Sequence, residues 1–462
     1  MTAIPVAGST LTTTLLRYTR SWGLWAILLV GPIGARFMIA RDDGAGLQVA
    51  IGDHLPVLTS ATLGVCLGVI VSTLLLPVGF IYLRSNTSRR QPWQVDEVSA
   101  ASRIAIALGR FGADAAVLLA VLAALTVAGW VLGWMIVSGP YNPGWIALPL
   151  WLVAAPALVG LAAVRTLLDA RPIGRRGFGD FLFFILWMAS LVAPAAASKL
   201  PSSFATNIVD FGGFVRPLVD GSPNRNDDFS IGSTRVKPGR VPLETERALA
   251  APGYVASRFA WLGIAIAIAA FAGLIHAPHT APRRRRLAEW LARLNAAPTP
   301  PVAQPDAPPA ARSGSLPLGL VVTEFRLLGA GRLFLIAASV VAALSLLPDF
   351  RHIGSPAALL LLLFPLSAHA GQSEARGLAQ LLAATPTAPL LRRAAVALSA
   401  IAWVVALSLP AAVVHLSLAP IVLAAGTSAV MAGVAITLAA VARSGFAARL
   451  VLLIAWYGYL SS

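Results

Sequence analysis

"SEARGLAQLLAATPTAPLLRR", Ser373 to Arg393, lies between two apolar runs, Ala357–Ala370 and Ala394–His415. Runs of this kind decide the fold, because about 20 mainly apolar residues carry an α-helix across a bilayer. The connection between them is not a plain polar loop. Leu378, Leu381 and Leu382 recur at helical spacing, a Thr-Pro-Thr-Ala-Pro break follows, and an arginine pair, Arg392 and Arg393, closes it. That pattern is an amphipathic element at the membrane edge.

Working outward, the whole chain has the composition of its central runs. Of 462 residues, 57% are hydrophobic and only 12% charged, and the mean hydropathy is +0.78. Soluble domains carry roughly 25% charged residues, so the expected fold is an all-α polytopic membrane protein. A net charge of +16 raises the question of nucleic acid. The arginines answer it by gathering at the ends of apolar runs, where they orient helices. The single cysteine, Cys66, sits inside an apolar run. It reads as a small core residue and leaves no disulfide framework or thiolate metal site. The N-terminal region lacks a short apolar core followed by a cleavage site, so Trp22 onward is read as a span.

The expected spans are Trp22–Ala40, Val57–Leu83, Ala115–Val137, Ile146–Val164, Phe181–Ala197 and Val255–Ile275, then Leu333–Leu347, Ala357–Ala370, Ala394–His415, Ile421–Ala442 and Arg449–Leu460. That makes about eleven transmembrane helices. With the N-terminus inside, the inner segments collect Arg17, Arg20, Arg84, Arg103, Arg110, Arg283–Arg286, Arg376, Arg392 and Arg393, while the outer turns at Ser138–Trp145 and Ser417–Pro420 hold no basic residue. The positive-inside rule therefore sets a cytoplasmic N-terminus and, with an odd span count, an external C-terminus.

A basic and Pro/Ala-rich cytoplasmic linker, residues 277–317, divides the chain. Its composition gives an extended spacer without a core. Residues 1–276 form a first half that includes an external loop, 199–254, and residues 318–462 form a second half. Each half opens with a short amphipathic stretch before its first span, and the same sequence of turns and arginine-bearing inner loops follows. The halves read as a parallel repeat of six and five spans, although generic membrane topology produces a similar pattern.

Chemistry is sparse. Arg36, Asp114, Arg165, Asp169 and Glu374 all lie near span ends, where snorkelling is cheap. Asp114 follows Arg110 by four residues, a spacing that pairs them on one helical face. His276 and His279 are separated by proline-interrupted sequence and make a poor metal site. No catalytic constellation and no phosphate-binding loop of the Gly-x-x-x-x-Gly-Lys-[Ser/Thr] form is present. Gly64-x-x-x-Gly68 and Gly129-x-x-x-Gly133 are read as helix-packing positions only.

The segment from Ser373 resembles the element after the second span of permeases in the type-2 ATP-binding-cassette exporter superfamily. That element reads as a glutamate, a spacer, a Leu-Leu-x-x-Thr-Pro core and a basic pair. Here Glu374, Leu381, Leu382, Thr385, Pro386, Arg392 and Arg393 take those places. The resemblance implies a permease without a cofactor of its own, working with separate cytoplasmic ATPase subunits that bind ATP and Mg. It implies ATPase contacts at Glu374 and Arg376, and at Asp96, Glu97, Arg103 and Arg110 in the first half. It also implies connecting helices bearing Arg17 and Arg20, and Glu324 and Arg326, with re-entrant helices in the external loop. The first half lacks the Leu-Leu-x-x-Thr-Pro core, which leaves stoichiometry open to a second permease copy. The setting implied is a bacterial inner membrane, with lipid around the spans, an amphiphilic cargo, and loop 199–254 facing any periplasmic partner. A gradient-driven carrier, or an assembly or sensory protein using that loop, remains the alternative.

Overall fold

A computed structural model describes residues 3–21, 24–25, 27–28, 34–39, 47–90, 101–175, 177–224, 228–232, 236–277, 316–370, 389–442 and 445–460. The chain separates into two compact units, Met1–His279 and Thr280–Ser462.

The first unit opens with the amphipathic helix α1 (Ala3–Thr19). A hairpin follows, β1 (Gln48–Ile51) and β2 (His54–Pro56), turning on Gly52 and Asp53, both with positive φ. Two such residues make the type I′ turn whose twist suits a two-residue hairpin. Next come α2 (Ser60–Thr73) and α3 (Leu76–Arg90), consecutive helices bent by 50° at their junction. The bend has a local cause. Pro77 has no N–H to return to the Thr73 carbonyl, so the helical ladder breaks there. The freed carbonyl accepts the Trp187 indole N–H at 2.7 Å.

α4 (Arg103–Ile136) starts on Ser102, whose hydroxyl accepts the Ala105 N–H. At about 1.5 Å per residue its 34 residues run about 50 Å, well beyond the roughly 30 Å of a hydrocarbon core. The expected span Ala115–Val137 is its C-terminal part, and the preceding turns from Arg103 continue into it without a break. α5 (Pro143–Asp169) is capped by Asn142, with Pro143 at its first position, and returns beside α2. α6 (Gly177–Ala196) stacks Phe183 on Phe80 of α3, with ring centroids 3.8 Å apart.

Between lipid-facing helices no hydrophobic force drives association, so close packing has to do it. Gly64 and Gly68 of α2 meet α5 backbone to backbone: a Cβ at Gly64 would overlap the Ile146 carbonyl. The packing role expected for that glycine pair holds, and the partner is α5.

The loop expected to be external, 199–254, is structured. It contains α7 (Phe204–Val209), α8 (Val215–Val219), β3 (Phe229–Gly232), β4 (Lys237–Val241) and α9 (Thr245–Leu249), and it leads into α10 (Tyr254–Leu274). β1 pairs antiparallel with β3 in the register Gln48↔Gly232 to Ile51↔Phe229, and β2 pairs parallel with β4. The sheet order β3-β1-β2-β4 thus sews the loop to the segment before α2. The chain is mostly helical, as expected, and residues 48–56 supply half of a four-stranded sheet.

Part of the loop also dips between the spans. The Phe211 ring rests on Gly160, seventeen residues into α5 from Pro143 and about 25 Å along it. Four bonds fix the dip to α10: Arg258 donates to the carbonyls of Phe211 (3.1 Å), Asn207 (3.1 Å) and Asp210, and Trp261 donates to Ile208 (3.1 Å). Arg216 adds bonds to the Asn207 side chain (2.7 Å) and the Leu200 carbonyl (3.0 Å). Asp210 takes the N–H groups of Gly213 and Val215, both at 2.8 Å. Every polar group drawn inward has a partner, as a low-dielectric site requires.

The second unit comprises α11 (Leu316–Leu328), α12 (Arg332–Leu344), α13 (Ser355–Ala370, preceded by a π turn at Phe350–Gly354), α14 (Pro389–Val414), α15 (Ala419–Ala442) and α16 (Gly445–Leu460). Among the described residues, seven helices are long and apolar enough to cross a membrane, or eight if the bent α2–α3 pair is one span. Phe334–Leu344 and Ala447–Trp456 are shorter apolar helices, and most of the expected first span, Trp22–Ala40, falls outside the described residues. The multi-pass helical organisation stands, and the count of eleven is not confirmed.

Candidate functional site: the docked amphipathic helices

In the first unit the span ends sort into two groups. β1, β2, the Ser138–Asn142 turn and the external loop gather at one end, where Asn142 N–H bonds the Ser60 hydroxyl and Ser138 N–H bonds the Leu58 carbonyl. The first turns of α4 and α6 and the last of α5 and α10 gather at the other, where α1 lies.

α1 docks on α4 by a stripe at helical spacing, Ala7, Leu11, Thr14 and Tyr18, which is half-buried to buried. Gly109 makes this possible. A Cβ there would stand 2.5 Å from the Ala7 carbonyl oxygen and 2.8 Å from the Thr10 Cβ. Gly109→Val is therefore expected to lift α1 from α4 at a cost of about 1–3 kcal/mol. Limited proteolysis checks this: the variant should be cut within residues 3–19 much faster than wild type, and equal rates would count against the packing.

The stripe ends in a buried ion cluster. The Tyr18 hydroxyl donates to one Asp114 oxygen at 2.6 Å, and Arg165 of α5 donates to the other at 2.6 Å. The second Arg165 terminal nitrogen pairs with Asp169 at 3.0 Å. Tyr18, Asp114 and Arg165 are 2%, 1% and 3% exposed, so none reaches water by snorkelling. Burial, and then the charge of Asp114, push the Tyr18 phenol well above its ordinary pKa; it remains a neutral donor at physiological pH. The Tyr18 ring also packs against Tyr82 of α3 at 5.9 Å. One tyrosine thus ties α1 to α3, α4 and, through Asp114, α5. Asp114, which follows Arg110 by four residues on α4, thus takes part in a cross-helix arrangement.

The same end holds further arginine bonds. Arg84 of α3 pairs with Asp180 of α6 at 3.2 Å. Arg175 donates to the carbonyls of Asp169 and Ala277, both at 2.7 Å, and Arg103 donates to the His276 carbonyl at 3.1 Å.

The second unit contains a comparable dock. α11 lies on α14, with Phe325 stacked on Trp403 at 4.5 Å and 3°. The Trp403 N–H bonds the Phe325 carbonyl at 2.8 Å, and the Ser399 hydroxyl bonds the Val321 carbonyl at 2.9 Å. Glu324 meets His369, at the end of α13, at 2.5 Å. In both units a tryptophan of a later helix donates to a backbone carbonyl of the earlier span: Trp187 to Thr73, and Trp456 of α16 to Pro356 of α13 at 2.8 Å.

Of the residues singled out from sequence, Arg17 is half-buried, Arg20, Arg103 and Arg326 are exposed, Arg110 is buried, and Glu324 is bonded to His369. Asp96, Glu97, Glu374, Arg376, Leu381, Leu382, Thr385 and Pro386 lie outside the described residues. Sequence reading missed Tyr18 as the partner of Asp114, and the Arg84–Asp180 pair. Its only available signal was that ionisable residues recur near several span ends. Among the described residues, no three of His, Cys, Asp and Glu gather as metal ligands would.

No protein family, curated protein or solved structure matches this chain.

Proposed function

We propose that the chain is the transmembrane permease subunit of a type-2 ATP-binding-cassette exporter in a bacterial inner membrane. It would couple ATP hydrolysis by separate cytoplasmic ATPase subunits to export of an amphiphilic substrate. The observation that carries this reading is the dock of α1 on α4, locked by Tyr18, Asp114 and Arg165. A push on segment 91–100 or on α1 would be felt by α4 directly, because α4 runs unbroken from Arg103 through the span. α11 on α14 supplies a corresponding support next to 371–388, the segment whose sequence resembles the family's coupling element. Two units of similar design fit a fused, parallel repeat, and the α1 end is taken as cytoplasmic from the arginine distribution.

The test is purification of the full-length chain from its native membrane. An ATP-hydrolysing subunit should accompany it in a fixed ratio, and Glu374→Ala with Arg376→Ala should reduce that ratio at least about fivefold, the low end of coupling energies between sites. An unchanged ratio would remove these residues from the interface, and absence of an ATPase would remove the reading.

Buried Asp114 favours a second reading, a gradient-driven carrier, since intramembrane carboxylates commonly serve ion coupling. Transport that stops on proton-gradient collapse while ATP stays high would select it. The bonds from Tyr18 and Arg165 engage both Asp114 oxygens, which makes this the weaker reading.

A further inference from the structure

At the end of the first unit opposite α1, a cleft of about 780 Å³ lies among the start of α2, the Ser138–Asn142 turn and α9. Pockets for small molecules run roughly 300–1,000 Å³. Tyr141 and Trp145 give this one aromatic surface, and Glu244, Glu246 and Arg247 give it charge.

The charges do not cancel. Arg247 donates to Glu244 at 3.2 Å. That leaves the Glu246 carboxylate as the wall's one charge without a partner among the described residues. A wall with one net negative charge and two aromatic rings suits an organic ammonium, which ring faces also attract.

Farther along α5, an almost wholly apolar groove of about 300 Å³ opens between α5 and α10, with Leu148, Leu152, Phe259 and Leu262 among its walls. Cleft and groove share a face of α5, because Trp145, Leu148 and Leu152 stand at i, i+3 and i+7. On the other side, α9 of the cleft leads into α10 of the groove within five residues. The levels in the membrane fit as well. Trp130, Trp134 and Tyr141 are exposed around this end, as in the aromatic belt of a membrane interface. Leu148 to Pro156 lie about 8–20 Å along α5 from Pro143, at the depth of lipid tails.

We propose that cleft and groove together bind a single-chain ammonium amphiphile, its head in the cleft with Glu246, Tyr141 and Trp145 and its chain along α5. The site does not depend on an ATPase partner, so its test stands apart from the exporter reading.

The experiment uses the full-length protein in neutral detergent, titrated with decyltrimethylammonium, decylphosphocholine and tetramethylammonium, and read by native mass spectrometry and thermal shift. Decyltrimethylammonium is expected to bind at 1:1 and to raise the melting temperature. Tetramethylammonium, which lacks the chain, should bind at least about tenfold more weakly, and decylphosphocholine, whose phosphate meets Glu246, should also be weaker. Glu246→Gln, at an exposed position, should weaken decyltrimethylammonium about three- to fivefold, the upper range of an exposed ion pair. Ala155→Phe, which fills the groove, should weaken it at least about tenfold. Asp53→Asn, a carboxylate at the same end but outside the cleft, should change nothing. Equal affinity for decylphosphocholine would identify zwitterionic membrane lipid as the occupant and overturn the cationic assignment. Unchanged decyltrimethylammonium affinity in Glu246→Gln or in Ala155→Phe would overturn the site.

Discussion

Asp114→Ala should destabilise the first unit by about 3–5 kcal/mol, because it leaves Arg165 buried with half of its compensation gone. Asp114 holds Arg165 at 2.6 Å and receives the Tyr18 hydroxyl at 2.6 Å, so one carboxylate serves two helices. Tyr18→Phe removes one hydrogen bond to a charged group and should cost about 1.5–3 kcal/mol. Asp114→Asn keeps an acceptor for Tyr18 but loses the charge, and it should fall between the two. Heat-stable monomer recovered on size exclusion would rank the three. If Asp114→Ala were as stable as wild type, Arg165 would have found another anion and the dock would not depend on this cluster.

Arg258→Ala is the second large effect expected. Its guanidinium is 1% exposed and bonded to three carbonyls of the dipping loop. Losing it strands those acceptors beside Asp210, again at about 3–5 kcal/mol. The expected signature is local: rapid proteolytic cleavage within 200–220. Lys237→Ala is the contrast. Its pair with Asp53 is 66% and 61% exposed, and such surface pairs contribute little. Similar damage from both variants would mean that the loop is held by the sheet and not by the dip.

Both predictions rest on contacts that hydropathy does not reveal. The apolar runs located several helices well: Val57–Leu83 covers the bent pair α2–α3 and Ala394–His415 is α14, while Leu333–Leu347 falls on α12, which is shorter than the candidate spans. Span length and arginine position are local properties, and they are legible one residue at a time. Partner choice is not. Asp114 and Arg165 were seen as separate residues near span ends, where each alone would snorkel. They become a buried pair only because α4 and α5 meet there. The sheet was missed for a related reason. Its strands are three to five residues long and come from segments about 180 residues apart, so neither segment carries a long alternating run. The Gly52–Asp53 turn was the one local cue. The elements most like a known family, around Leu381–Pro386, were legible as motif, while the structure contributes the helices on either side of them.

On the exporter reading proposed above, α1 would be a transmission part, tied by its half-buried stripe and Tyr18 to a helix long enough to cross the membrane. The most direct test is ATP hydrolysis by the complex purified from native membranes, comparing wild type with Tyr18→Phe at equal subunit ratio. Coupling energies between sites run about 1–3 kcal/mol, so the hydrolysis rate should fall at least about fivefold with the ATPase still bound. An unchanged rate in Tyr18→Phe, or a wild-type complex with no ATP hydrolysis, would contradict the account.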